Sequence, residues 1–285
     1  MQNKALNFIG EQFRGDLLLI NPTSFPQDMP IYWSVQLPEG QAIVRRNTSL
    51  VTQKTDKGTL INAGILPPYS IVPLSFSSAA SSSHNNGLSI SSTHLENQYL
   101  YVALNEAGDI TSIYDKANQR EVLAPGTVAN QLQFFEDRPI DWDAWDIDIY
   151  YEDKIMLAGP ASVIDVVETG PLRAALRIER RVLNSTITQT ISLFHNQPQL
   201  DLNTHVDWRE RHILMKVAFP VDIHSPTATY EIQWGNVERP THRNTSWDWA
   251  RFETCAHKWI DWWIIKKTLN TMVTKSKFPL SLLKL

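Results

Sequence analysis

Between Ala161 and Trp208 the chain runs ASVIDVVETGPLRAALRIERRVLNSTITQTISLFHNQPQLDLNTHVDW, and helical spacing is scarce in it. Apolar and polar residues alternate instead, the period-two signature of extended strands. In LRAALRIERRV, Leu172, Ala174, Leu176, Ile178 and Arg180 share one face, and Arg173, Arg177 and Glu179 share the other. Such alternation predicts a sheet with one face on the core and one in water. Gly170-Pro171 and Asn196-Gln197-Pro198 supply turn residues between the runs. Several long strands joined by short turns are therefore expected.

The same pattern extends outward. QYLYVALNEAGDITSIYDK reads as a hairpin with Glu106-Ala107-Gly108-Asp109 as its loop. Nearer the start, DLLLINPTSFPQDMPIYWSVQLPEG reads as strand, Pro-rich turn, strand and a Pro-Glu-Gly turn. TLINAGILPPYSIVPLSF adds two short strands around Pro67-Pro68. SSAASSSHNNGLSISS, rich in Ser and Asn, cannot build a core and is expected to be a linker. The expectation is an all-β protein: a small N-terminal β-sandwich over residues 16–76, a linker over 77–92, and a large antiparallel β-sandwich over 93–261. Residues 1–15 are expected to be the remnant of a preceding helical region or a linker. Residues 262–285, with five lysines and no acid after Asp261, break with a chain that is otherwise net acidic.

Composition narrows the function classes. The chain has 285 residues, 42% of them hydrophobic, and a formal net charge of −4. The body carries no basic cluster, which argues against nucleic acid. The start lacks the basic-then-apolar layout of a signal peptide, and no apolar run is long enough to span a bilayer. A single cysteine, Cys255, excludes an internal disulfide and suits a cytoplasmic location. The 10 tryptophans are the unusual feature. Each is either a core filler or a platform for a sugar ring.

Several candidate sites can be weighed on residue type and spacing. DWDAWDIDIYYEDK, Asp141–Lys154, gathers carboxylates around two tryptophans. Asp141, Asp143 and Glu152 fall at positions 1, 3 and 12 of an EF-hand loop, but Asp146 stands where the sharp turn needs glycine. Were Trp145–Tyr150 a strand, Asp146, Asp148 and Tyr150 would share one face and Trp145, Ile147 and Ile149 the other. The DWDAW portion suits a loop able to meet a ligand. His205/Asp207 and His94/Glu96 have strand spacing compatible with zinc, yet neither has further ligands nearby. Cys255 and His257 are spaced for a nucleophile–base pair, with nothing nearby to mark activation.

Four segments together resemble the α-mannosidases of glycoside hydrolase family 38, in its cytosolic and vacuolar-type members. They are LENQYLYVALNEAGDITSIYDK, NQLQFFEDRPIDWDAWDIDIYYED, VDWRERHILMKVAFPV and YEIQWGNVERPTHRNTSWDWARFETCAHKW, in family order. The resemblance implies a middle and C-terminal β-domain fragment: a small sandwich, then part of a galactose-mutarotase-like supersandwich. It implies no catalytic residue, no metal ligand and no cofactor in this chain, the family's zinc being held elsewhere. It further implies an α-mannoside or oligosaccharide as ligand, and a separate chain carrying the catalytic domain as possible partner; it adds neither nucleic acid nor membrane. Asp143 as hydroxyl acceptor, Trp145 as stacking wall and Arg239 as donor are the substrate-side residues it suggests. The ending after Asp261 departs from the family and is expected to be an aberrant, frame-shifted tail. An autonomous carbohydrate-binding sandwich using Trp142, Trp145 and Tyr150, or a non-functional remnant, are the alternatives.

Overall fold

The structure is a computed structural model that describes residues 8, 10–13, 15–78, 87–143 and 145–262. The tail expected to be foreign to the domain lies outside the described residues from 263 onward, as do most of residues 1–15 and the middle of the proposed linker. The described fold is all-β, with six sheets; helix is confined among the described residues to positions 8 and 10–12 and to two short turns further on. It divides into two compact units. One comprises Met1–Ser89, Glu168–Ala174 and Leu193–Gln197; the other comprises Ile90–Val167, Ala175–Ser192 and Pro198–Leu285.

The first unit holds β1 (Leu17–Asn21), β2 (Ile31–Trp33), β3 (Ala42–Arg45), β4 (Thr48–Ser49), β5 (Val51–Lys54), β6 (Thr59–Asn62) and β7 (Ser70–Ser77). They form two sheets, in the orders β1-β7-β3-β4 and β2-β6-β5. Leu19, Ile43, Val72 and Leu74 from one sheet bury against Ile61 from the other, with Ile31 and Trp33 packed alongside. Each aliphatic side chain fully withdrawn from water contributes about 1.5–3 kcal/mol, so this shared layer is what joins the sheets as a sandwich. Buried Asn21 ties the Pro-rich turns down: its amide donates to the carbonyls of Phe25 and Pro67, both at 2.9 Å. The two segments that join this unit from later in the chain are held by Gln53. Its Oε1 accepts from the backbone N–H groups of Leu172 and Arg173, and its Nε2 donates to the Arg173 carbonyl.

The second unit opens at the end of β8 (Ser89–Ile90) and continues with β9 (His94–Glu96), β10 (Leu100–Leu104), β11 (Ile110–Asp115) and β12 (Arg120–Glu121). These make one sheet in the order β12-β11-β10-β9-β8. The β10/β11 hairpin has the expected loop, with Gly108 at φ +82°, a conformation that L side chains rarely adopt. Next come β13 (Gln131–Glu136), β14 (Ile155–Leu157), β15 (Val163–Thr169), β16 (Arg173–Val182), β17 (Ser185–Phe194), β18 (Leu200–Asp207) and β19 (Ile213–Ala218). β13 lies between β14 and β19, while β15, β16, β17 and β18 are neighbours in sequence order. Leu132 and Phe134 of β13 bury against Val182 of β16 and Ile187 of β17, which gives the second sandwich its core. The face read from sequence along β16 and the residue before it is the buried one: Leu172, Ala174, Leu176, Ile178 and Arg180 are all withdrawn from water. Finally β20 (Thr227–Ile232) pairs with β21 (Gly235–Pro240) and β22 (Ile260–Asp261).

One local expectation fails. Trp145–Tyr150 is no strand; it is a loop leading into a 3-10 turn at Ile149–Asp153. Trp142 adopts φ 62° and its carbonyl accepts from the N–H groups of both Trp145 and Asp146. Asp148 closes the loop by accepting from the N–H of Ile140 at 2.8 Å. Closely spaced Asp residues satisfy nearby backbone N–H groups locally, and here that outcompetes the period-two pattern.

Candidate functional site

The acidic, tryptophan-rich loop and the segment that follows β21 meet in the second unit. On the first side, Asp143 and Trp145 sit in the turn closed by the Trp142 carbonyl. Trp145 is 91% exposed, so its ring is available to a ligand and contributes nothing to a core. Trp142 and Tyr150 are exposed as well. The Asp143 carboxylate lies 3.5 Å from His212 Nδ1, a pairing that is ionic only when the imidazole is protonated.

Arg239 occupies β21, where its guanidinium lies 5.8 Å from the Tyr230 ring centroid. Its Nε is buried without a hydrogen-bond partner. Among the described residues no hydrogen bond or ion pair joins Arg239 to Asp143 or Trp145. The arginine that reaches the acidic segment is Arg243, four positions on. It grips Glu152 through two parallel hydrogen bonds, Nη1 to Oε2 at 2.8 Å and Nη2 to Oε1 at 2.7 Å. That fork geometry holds the Glu152 carboxyl below the usual glutamate range and the guanidinium above its own. A Glu152 so engaged is also unavailable as a calcium ligand.

Beside this pair Tyr151 is buried, with Phe135 edge-on to its ring at 5.0 Å. Its hydroxyl donates to Glu253 Oε1 at 2.5 Å. Lys216 of β19 donates to both the Tyr151 oxygen and Glu253, and its ammonium lies 4.1 Å from the Tyr151 ring centroid. Burial first, then the hydrogen bond to Glu253, pushes the Tyr151 phenol far above the ordinary tyrosine range. The group therefore remains a proton-bearing donor at any physiological pH. Between Arg243 and Glu253 the chain makes a one-turn helix, Ser246–Ala250, opened by a capping box in which Thr245 and Asp248 bond each other's backbone. Trp247 and Trp249 stand out from it, exposed, with Arg251 and Arg243 respectively 5.9 Å from their ring centroids.

The sequence points to the loop around Asp143 and Trp145 and to the segment around Arg239; the contacts that join the two segments are made by Tyr151, Lys216, Arg243 and Glu253. All four lie in quoted segments, but no local spacing links residues from separate elements.

The remaining candidates do not assemble into chemistry. Asp207 is bonded by Arg209 through Nε and Nη2, at 3.2 and 2.7 Å, and both His205 and Asp207 are exposed on β18. Glu96 is taken by Lys116 at 2.6 Å, and His94 is 2.7 Å from the Ser91 hydroxyl. Among the described residues no three His, Cys, Asp or Glu side chains come together as a metal would require. These residues do not fit a zinc ion. Cys255 is exposed, and the His257 imidazole lies 3.8 Å from Glu231. A cavity of about 470 Å3 in the same unit is walled by Leu100, Ile113, Leu202, Val221, Ile260 and others. Its wall also carries Gln199, Tyr230, Thr241, His242, Arg243 and Arg251, while Asp143, Trp145 and Arg239 are not among its lining residues.

Comparison with known proteins fits this architecture. Residues 95–262 match the family model for the glycosyl hydrolases family 38 C-terminal domain. Alpha-mannosidase 2C1 of Mus musculus is 42% identical over 172 residues, covering 60% of this chain and 17% of that protein. Alpha-mannosidase G of Dictyostelium discoideum is 37% identical over 177 residues, covering 59% of this chain and 16% of that protein. The chain thus spans only about a sixth of the length of these relatives. An alpha-mannosidase from Enterococcus faecalis V583 shares the fold, with a TM-score of 0.62 and 11% identity over 86% of this chain and 35% of that one. With its matched region covering the second β unit and more than half of its length, the chain belongs to glycosyl hydrolase family 38 through that family's C-terminal domain.

Proposed function

We propose that this chain serves as the C-terminal β portion of a retaining, zinc-dependent α-mannosidase acting on α-mannosides in the cytoplasm. On this reading it is inactive alone and works with a separate chain that carries the catalytic domain. The observation that carries the proposal is the family match over residues 95–262, which contains the exposed Asp143–Trp145 turn. Trp145 supplies an apolar wall for a sugar ring, Asp143 accepts from a hydroxyl, and Arg239 donates from β21. The nucleophile, the acid/base carboxyl and the zinc ligands are assigned to the partner, because the His and carboxylate pairs here are exposed or engaged by Arg209 and Lys116.

The test is a chromogenic α-mannoside assay on the purified chain, with and without a zinc chelator. No turnover is expected from the chain alone. Chelator-sensitive turnover by it would overturn the proposal.

A second reading has its own support. Trp142, Trp145 and Tyr150 all present exposed rings from one short stretch, as a carbohydrate-binding sandwich would use them. Mannoside binding by the isolated chain, lost in Trp145→Ala, would favour it. A chain that binds no mannoside and complements no catalytic domain is a non-functional remnant.

A further inference from the structure

Two exposed tryptophan-bearing segments, Asp141–Asp148 and Ser246–Ala250, are each short and each lack a core of their own. Loops of that kind open locally at little cost unless something fixes them. The structure supplies the fixture. Glu152 and Tyr151 follow directly on the first segment; Arg243 and Glu253 bracket the second. Lys216, on the rigid strand β19, donates to Tyr151 and Glu253 together and so anchors both to the sheet. Phe252 adds a tilted ring 6.1 Å from Tyr151, and Phe135 backs the same ring from β13.

We propose that Tyr151, Lys216 and Glu253, with the Glu152–Arg243 pair, form a clasp that locks the Trp142–Trp145 turn and the Trp247–Trp249 helix into one fixed arrangement. These five are positioning residues. Their value to a bound mannoside rests on the reading of Asp143 and Trp145 as sugar contacts; their locking of the two segments does not. Geometry favours a lock over a reactive site. The Tyr151 hydroxyl is already donating to Glu253, Lys216 is spent on the same two groups, and both carboxylates have full partners.

The test uses the full chain in four versions: wild type, Arg243→Glu, Glu152→Arg, and the two substitutions combined. Hydrogen exchange is followed peptide by peptide, and α-mannoside affinity is titrated in parallel with methyl α-mannoside as the probe. Each single reversal is expected to speed amide exchange in residues 137–148 and 243–253 about tenfold, with β16 and β17 unchanged. The combined reversal is expected to restore most of the protection. Tyr151→Phe keeps the ring, removes only the hydroxyl, and is expected to loosen the same two segments. Unchanged exchange in both segments overturns the proposal. So does loosening spread evenly over the unit, or a combined variant no better than the singles. Should wild type show the exchange pattern yet bind no mannoside, the clasp stands and the sugar reading falls.

Discussion

Arg180 is only 2% exposed, and it meets Asp109 across 2.7 Å at the loop of the β10/β11 hairpin. The same Nη2 also donates to the Ala107 carbonyl at 2.7 Å. A cation placed on the apolar face of β16 is thereby neutralised by the loop of a different sheet. Gly108, whose missing Cβ would stand 3.2 Å from Nη2, leaves the room for it.

Breaking that pair from the acid side leaves a buried guanidinium uncompensated. Asp109→Ala is expected to cost about 3–5 kcal/mol in urea unfolding. Arg180→Met, which removes the charge and keeps much of the volume, is expected to cost clearly less. Equal losses in the two variants would contradict the account.

Glu121 gives the fold a sensitivity to acid. Burial raises its carboxyl, but the N–H of Leu123, the Ser112 hydroxyl and the N–H groups of Ile113 and Val122 together hold it below the ordinary glutamate range. A carboxyl that binds protons less tightly folded than unfolded stabilises the fold above the unfolded value. Its contribution fades as pH falls through the lower folded value. Denaturation midpoints taken between about pH 5 and 3 should fall less steeply in Glu121→Gln than in wild type.

Asn130 and Gln189 bond one another through both amides, each at 3.0 Å, with no exposure at Asn130. Gln189→Leu strips Asn130 of both partners in a place water does not reach. The expected loss is about 1–3 kcal/mol, read from chemical unfolding. A neutral or stabilised variant would show that the network is dispensable.

Gly170 has its place because Gln53 fills the space beside it. A Cβ there would fall 2.3 Å from Gln53 Cδ, so Gly170→Ala must expel the side chain that caps Leu172 and Arg173. About 2 kcal/mol of destabilisation is expected, with faster exchange at the Leu172 and Arg173 amides.

Trp145→Ala separates binding from folding. With the ring almost wholly in water, stability should shift by no more than about 0.5 kcal/mol. Weaker mannoside binding at unchanged stability is the outcome the proposed role requires, measured by calorimetric titration alongside thermal unfolding.

Local sequence was enough for the strands. The alternation around Leu172–Arg180, the Gly170-Pro171 turn and the Glu106–Asp109 loop are written in neighbouring residues, because strand faces and turns are decided by residues a few positions apart. The resemblance carried by four ordered segments identified the family for the same reason: the segments are contiguous. Local pattern misled at Trp145–Tyr150, where Asp and Trp alternate like a strand but the backbone bonds of Trp142 and Asp148 close a loop. What only tertiary structure decided are pairings across distant positions. Gln53 gathers Leu172 and Arg173 into the N-terminal unit, and Asp109 finds Arg180. Arg243, not Arg239, reaches the acidic segment, and Lys216 joins Tyr151 to Glu253. Each joins groups far apart in the chain, and such pairings are set by how sheets pack, which no window of sequence contains.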